Sequence, residues 1–127
     1  MSSPTVLVVE DDPLELKLFL MLVERNGYRA LGAANGVAAL QILSSEQPHA
    51  LVLDLVMPQM SGIEVLRYVR SVPALSQIRV LVLTAHPGLA MQAYALGIDH
   101  WLVKPVLAAQ FIAALQDVMS WSASPPY

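Results

Sequence analysis

The chain contains no cysteine, so neither a disulfide framework nor a thiolate metal centre is available to it, and a reducing cytoplasm suits it. Charge is scarce as well. Asp, Glu, Lys and Arg together make up 13% of its 127 residues, against roughly 25% in an average soluble domain, and a surface so poor in charge implies that a partner covers part of it. The net charge is −3, and the basic residues Lys17, Arg25, Arg29, Arg67, Arg70, Arg79 and Lys104 are scattered. Without a basic stripe, direct binding to nucleic acid is not expected. Long apolar runs are missing too: the densest, Leu18 to Val23, is far too short to span a bilayer, and Met1-Ser2-Ser3-Pro4 lacks the basic start of a signal peptide. No membrane role is expected. The histidines, His49, His86 and His100, show no metal-ligand spacing.

What is present is a strict alternation of two kinds of segment. Short β-rich runs are predicted at 5–10, 28–33, 49–54, 78–84 and 98–103, and helices at 13–26, 36–46, 62–71, 88–96 and 106–120. Five β-α units in succession predict an α/β domain with a parallel sheet and helices on both faces. The punctuation agrees: Asp12-Pro13-Leu14-Glu15 reads as an N-cap, a first-position proline and the acid of a capping box, while Gly27 and Gly97 stand where helix ends favour a left-handed residue. One domain over 1–121 is expected, with 122–127 as a tail or the start of a linker.

The strand ends carry the chemistry. The run from Thr5 to Val9 ends on Glu10-Asp11-Asp12, Ala50 to Leu53 ends on Asp54, Ile78 to Leu83 ends on Thr84, and Ile98 to Val103 ends on Lys104. In open parallel sheets such carboxyl-terminal ends are where ligands bind.

Four segments, Val8-Val9-Glu10-Asp11-Asp12-Pro13, Asp54-Leu55-Val56-Met57-Pro58-Gln59-Met60-Ser61-Gly62, Leu83-Thr84-Ala85 and Trp101-Leu102-Val103-Lys104-Pro105, in this order and spacing, resemble the receiver domains of two-component response regulators. The resemblance covers residues 5 to about 121. It implies a doubly wound, flavodoxin-like sheet of five strands in the order 2-1-3-4-5. It further implies that Asp54 accepts a phosphoryl group from a histidine kinase or phosphotransfer protein, and that the Lys104-Pro105 peptide is cis. An anionic nucleophile meeting an anionic phosphoryl group needs its charge offset, and an all-oxygen set suits Mg²⁺ better than zinc. By the resemblance, Asp11, Asp54 and the Val56 carbonyl would ligate Mg²⁺ directly, and Glu10 through water. Lys104 would neutralise one phosphoryl oxygen and Thr84 would hydrogen-bond another. Trp101 would move with Thr84, and Val56 and His86 would tune the lifetime of the phosphorylated state. Met57 and Met60 read as packing residues.

Three features depart from the family pattern: the stretch from Thr84 to Lys104 is about two residues short, Val106 replaces a frequent aromatic, and Trp101 replaces a smaller ring. None touches the acids, Thr84 or Lys104. A phosphoryl-accepting switch, not an enzyme acting on other substrates, is therefore expected, the alternative being a receiver-fold scaffold that signals through constitutive contacts. A phosphatase of the haloacid dehalogenase type needs a second acid two positions after its nucleophile, where this chain has Val56. Charge depletion is sharpest over 87–121, where only Asp99, Lys104 and Asp117 are charged. That stretch is expected to form a homodimer or output interface, with Leu89, Met91, Tyr94, Phe111 or Trp121 among its contacts; the resemblance further implies that an exposed apolar strip on the first helix, with Leu16 and Leu20, serves kinase docking.

Overall fold

The computed structural model describes residues 3–120. Five strands, β1 (Thr5–Val9), β2 (Arg29–Ala33), β3 (Ala50–Asp54), β4 (Arg79–Thr84) and β5 (His100–Val103), alternate with five helices, α1 (Pro13–Arg25), α2 (Gly36–Glu46), α3 (Gly62–Ser71), α4 (Pro87–Leu96) and α5 (Ala108–Ser120). All strand pairs are parallel, in the order β2-β1-β3-β4-β5. Both the α/β class and the strand order agree with expectation.

The central strands are apolar at every position between their ends, over Val6–Val9, Ala50–Leu53 and Val80–Leu83, because both sheet faces are covered. Leu7, Val9, Leu51, Leu53, Val80 and Val82 point to one side, into a core closed by α2, α3 and α4. Val6, Val8, Val52, Leu81 and Leu83 point to the other, against Phe19 and Val23 of α1 and Phe111 and Leu115 of α5. Phe19 and Phe111 stack with ring centroids 4.7 Å apart.

The helix ends follow their sequence signals in part. Asp12 caps α1 by accepting hydrogen bonds from the backbone N–H groups of Leu14 and Glu15 at 2.9 and 3.1 Å. Gly27 and Gly97 take φ of 90° and 96°, a conformation open to glycine at no steric cost. Two boundaries shift by two residues, and the others by one at most. The predicted start of α5 at 106 moves to Ala108, because the Leu107 carbonyl accepts the first helical bond from Phe111 at 3.0 Å and its N–H is held by the Gln110 side chain at 3.0 Å. The start of β5 moves from 98 to His100, because at Asp99, whose N–H donates to the Val80 carbonyl at 2.9 Å, the carboxylate and not a backbone carbonyl takes the Val80 N–H, at 2.8 Å. A 3-10 turn at Pro73–Leu75, between α3 and β4, was not expected. The predicted tail over 122–127 and Trp121 lie outside the described residues. Among the described residues, no helix is long and apolar enough to cross a membrane.

Candidate functional site

Because β1 and β3 are neighbours, with Val9 level with Leu53, the residues that follow them meet at one edge of the sheet. Glu10 and Asp54 are buried, at 1% and 3% exposure, while Asp11 is exposed. Carboxylate oxygens of Glu10, Asp11 and Asp54 all lie within 4.8 Å of one another.

Each buried acid is fixed by short local bonds. One oxygen of Asp54 accepts from the Val56 N–H at 3.0 Å, and Glu10 accepts from the Asp12 N–H at 3.2 Å. The loop beyond Asp54 folds back until the Gly62 N–H reaches the Leu55 carbonyl at 3.1 Å. A Cβ at Gly62 would sit 2.4 Å from the Asp54 carbonyl oxygen and 2.6 Å from the Leu55 Cα. Glycine is therefore required where α3 starts beneath the site.

Lys104 arrives from the far side of β4. Its N–H bonds the Thr84 carbonyl at 2.8 Å and its peptide bond to Pro105 is cis, as expected. The Nζ atom donates to Glu10 Oε1 at 2.5 Å and to Asp54 Oδ2 at 3.2 Å, and it pairs with Glu15 Oε1 at 3.2 Å. Burial pushes the Glu10 carboxyl up to about 7, and Asp54 beside it adds to the rise against the pull of Lys104. Burial also works against the Lys104 charge, but its hydrogen bond to Glu10 and the charge of Asp54 outweigh it and hold the ammonium above its usual range. Asp54 contributes to both rises, but burial drives the one at Glu10 and opposes the one at Lys104. Three oxygen donors with an excess of negative charge fit a hard divalent cation such as Mg²⁺.

Glu15 is the site residue that sequence reasoning did not single out. As a capping-box acid it should return to the Asp12 N–H, but Glu10 takes that N–H and Glu15 turns to Lys104 instead. Nothing in the spacing of Glu15 and Lys104, 89 positions apart by their numbers, signals the pairing.

Of the other expected residues, only Val56 is joined to the acids, through its N–H to Asp54. Thr84 is buried at the end of β4, yet its hydroxyl is engaged by its own turn, accepting from the His86 N–H at 3.0 Å and donating to the His86 carbonyl at 3.3 Å. His86 itself is exposed at the start of α4. Trp101 is partly exposed on the edge strand β5, level with Val82, and Val56 is exposed beside Asp54. Met57 and Met60 pack in the core.

The expected contact surface needs correction. Phe111 is 0% exposed, committed to the core by its stack on Phe19, and Leu89 packs inward. Met91 and Tyr94 are exposed, at 69% and 67%, and Leu107 and Val103 join them as outward apolar residues. On α1, Leu16 and Leu20 pack against the sheet. The outward strip is Leu14, Leu18 and Met21, which share a face at helical spacing.

Residues 6–116 match the family described as "Response regulator receiver domain". The chain belongs to the response regulator receiver family. This receiver is 29% identical over 117 residues to the polar-differentiation response regulator DivK of Brucella anthropi, covering 91% of this chain and 95% of that protein. It is 34% identical over 119 residues to the response regulator MprA of Mycobacterium ulcerans, covering 92% of this chain but only 50% of MprA. The receiver thus spans about half the length of MprA. Its fold superposes on the chemotaxis protein CheY4 of Vibrio cholerae with a TM-score of 0.86 at 28% identity, covering 92% of this chain and 99% of that one. These relations place the receiver in two-component signalling.

Proposed function

We propose that the receiver is a phosphoryl-accepting switch in which Asp54 takes a phosphoryl group from a phosphohistidine of a histidine kinase or phosphotransfer protein. The observation that carries the reading is the placement of Asp54, buried at a strand end, between two further acids and the Lys104 ammonium. A carboxylate so placed is a nucleophile with charge compensation already arranged around the oxygens that an incoming phosphoryl group would present. An Asp54 oxygen attacks phosphorus, the phosphorus–nitrogen bond breaks, and its electron pair leaves with the donor imidazole. Glu10, Asp11, Asp54 and the Val56 carbonyl are the groups that would hold Mg²⁺, which supplies charge neutralisation when bound. Lys104 keeps one oxygen neutralised throughout. The Thr84 hydroxyl gives up its turn around His86 to donate to the phosphoryl group. That exchange draws the β4–α4 connection inward, and Trp101, on the adjacent strand, repacks with it. Val56 and His86 flank the entrance and set how readily water reaches the acyl phosphate. The kinase side docks on the strip Leu14, Leu18 and Met21, beside a groove of about 450 Å³ lined by Pro13, Leu16, Leu20 and Met21, and the output surface includes Met91 and Tyr94.

Labelling by acetyl phosphate with Mg²⁺, mapped by mass spectrometry, tests the reading. One phosphoryl group on Asp54, absent in Asp54→Asn, is expected. Failure of the wild-type chain to label would leave the scaffold reading, and label on Asp11 or Asp12 would overturn the assignment of the nucleophile.

A further inference from the structure

We propose that Glu15 is a positioning residue that holds Lys104 back from the incoming phosphoryl group and so slows phosphorylation of Asp54. The inference rests on Asp54 being the phosphoacceptor. An ammonium group has three donor hydrogens, and Lys104 faces three carboxylates, those of Glu10, Asp54 and Glu15. Two donors are hydrogen-bonded to Glu10 and Asp54 and the Glu15 carboxylate flanks the ammonium as an ion pair at 3.2 Å, so its surroundings are filled before any phosphoryl group arrives, and one partner must be released when it does. The partners differ in what release costs. Glu10, with a side chain 1% exposed, would be left as an unpaired buried acid, whereas the Glu15 side chain is 39% exposed and can be rehydrated where it stands. Glu15 is thus the contact that yields, and breaking it is part of the barrier.

The helix cap confirms that Glu15 is available for this task. Asp12 satisfies the Leu14 and Glu15 N–H groups, and Glu10 holds the Asp12 N–H that a capping-box acid would otherwise take. Replacing the Glu15 carboxylate should therefore leave α1 intact.

The test compares Glu15→Gln, which keeps size but not charge, with Glu15→Asp, which keeps charge but is one methylene too short for the contact. With phosphoramidate and saturating Mg²⁺, both variants are expected to label faster than wild type, by about two- to fivefold for Gln, the range set by a partly exposed ion pair. In the metal-free protein the Lys104 Nζ resonance, followed by proton–nitrogen NMR, is expected to shift and its protons to exchange faster in both variants. Equal labelling rates in all three proteins, or an unmoved Nζ resonance, would overturn the proposal. So would acceleration in Gln alone, since that pattern assigns the effect to repulsion of the donor by the Glu15 charge. If the wild type labels and the variants match it, only the role of Glu15 fails; if no protein labels, the phosphoacceptor reading fails as well.

Discussion

Asp54 Oδ2 and Lys104 Nζ lie 3.2 Å apart, joined across 50 positions of sequence by the adjacency of β3, β4 and β5. Neither residue moves easily: Asp54 is pinned through its other oxygen to the Val56 N–H, and the Lys104 N–H continues the ladder of β4. Strand order, not local sequence, brings nucleophile and cation together.

Lys104→Met should separate the two contributions of that lysine. Removing the ammonium leaves Glu10 and Asp54 facing each other with no cation between them, so Mg²⁺ is expected to bind more tightly, as read by calorimetric titration. Phosphorylation should nonetheless slow by about 10²-fold, the usual effect of losing one preorganised charge-stabilising donor. A variant with unchanged labelling would remove Lys104 from the chemistry.

A pH dependence follows from Glu10. Its carboxyl is raised from the usual 4.5 to about 7, chiefly by burial. The folded protein therefore binds more protons than the unfolded chain between these values, and the contribution of Glu10 to stability, complete below about 4.5, is lost as pH rises through 7. In metal-free protein, the difference in melting temperature between wild type and Glu10→Gln should drift in favour of Gln from pH 5 to 7.5. Added Mg²⁺ should reverse the drift in the wild type, because the cation takes over the role of the proton. A difference that stays flat across this range would show that Glu10 does not titrate in it.

The residues that proved legible in the sequence are those whose signal is local. A strand that ends on an acid places that acid at the sheet edge, and this placed Glu10, Asp54, Thr84 and Lys104 correctly. Helix caps at Asp12, Gly27 and Gly97 were likewise readable, since a cap depends on a few neighbours. Contacts that depend on the completed fold were not. Glu15 carries the signature of a capping box and makes an ion pair with β5's last neighbour instead. Phe111 looked available for an interface because α5 has more apolar residues than one stripe uses, but only the stack on Phe19 settles which of them turn inward. Leu16 and Leu20 were expected outward from the resemblance alone, which does not say which positions of α1 face the sheet; they lie one or two positions from Leu14, Leu18 and Met21, which do face outward.

Gly62 and Gly88 should respond oppositely to alanine. A Cβ at Gly62 meets backbone atoms of Asp54 and Leu55, which cannot swing aside, whereas one at Gly88 meets nothing within 4 Å. Gly62→Ala is expected to destabilise by about 1–3 kcal/mol, as overpacking does, and to impair labelling because the displaced backbone carries Asp54. Gly88→Ala, inside α4, should stabilise by about 0.4–1 kcal/mol through the unfolded state. Urea unfolding of both variants checks the pair, and equal effects would contradict the close approach at Gly62.

The exposed apolar residues of α4 yield the last prediction. Met91 and Tyr94 stand three positions apart on one face of that helix, both more than two-thirds exposed, and residues 87–120 carry only Asp99, Lys104 and Asp117 as charged side chains. Exposed apolar area of this kind is stabilised by contact, at about 25 cal/mol per Å² removed from water, and there is little like charge nearby to oppose an approaching surface. Met91→Glu combined with Tyr94→Glu should therefore leave folding and Asp54 labelling unchanged, since neither residue belongs to the core, while abolishing self-association or output binding. Sedimentation velocity with and without beryllofluoride, on wild type and the double variant, reads this directly. A wild-type chain that is monomeric in both states, and whose partner binding survives the double substitution, would place the output surface elsewhere on the receiver.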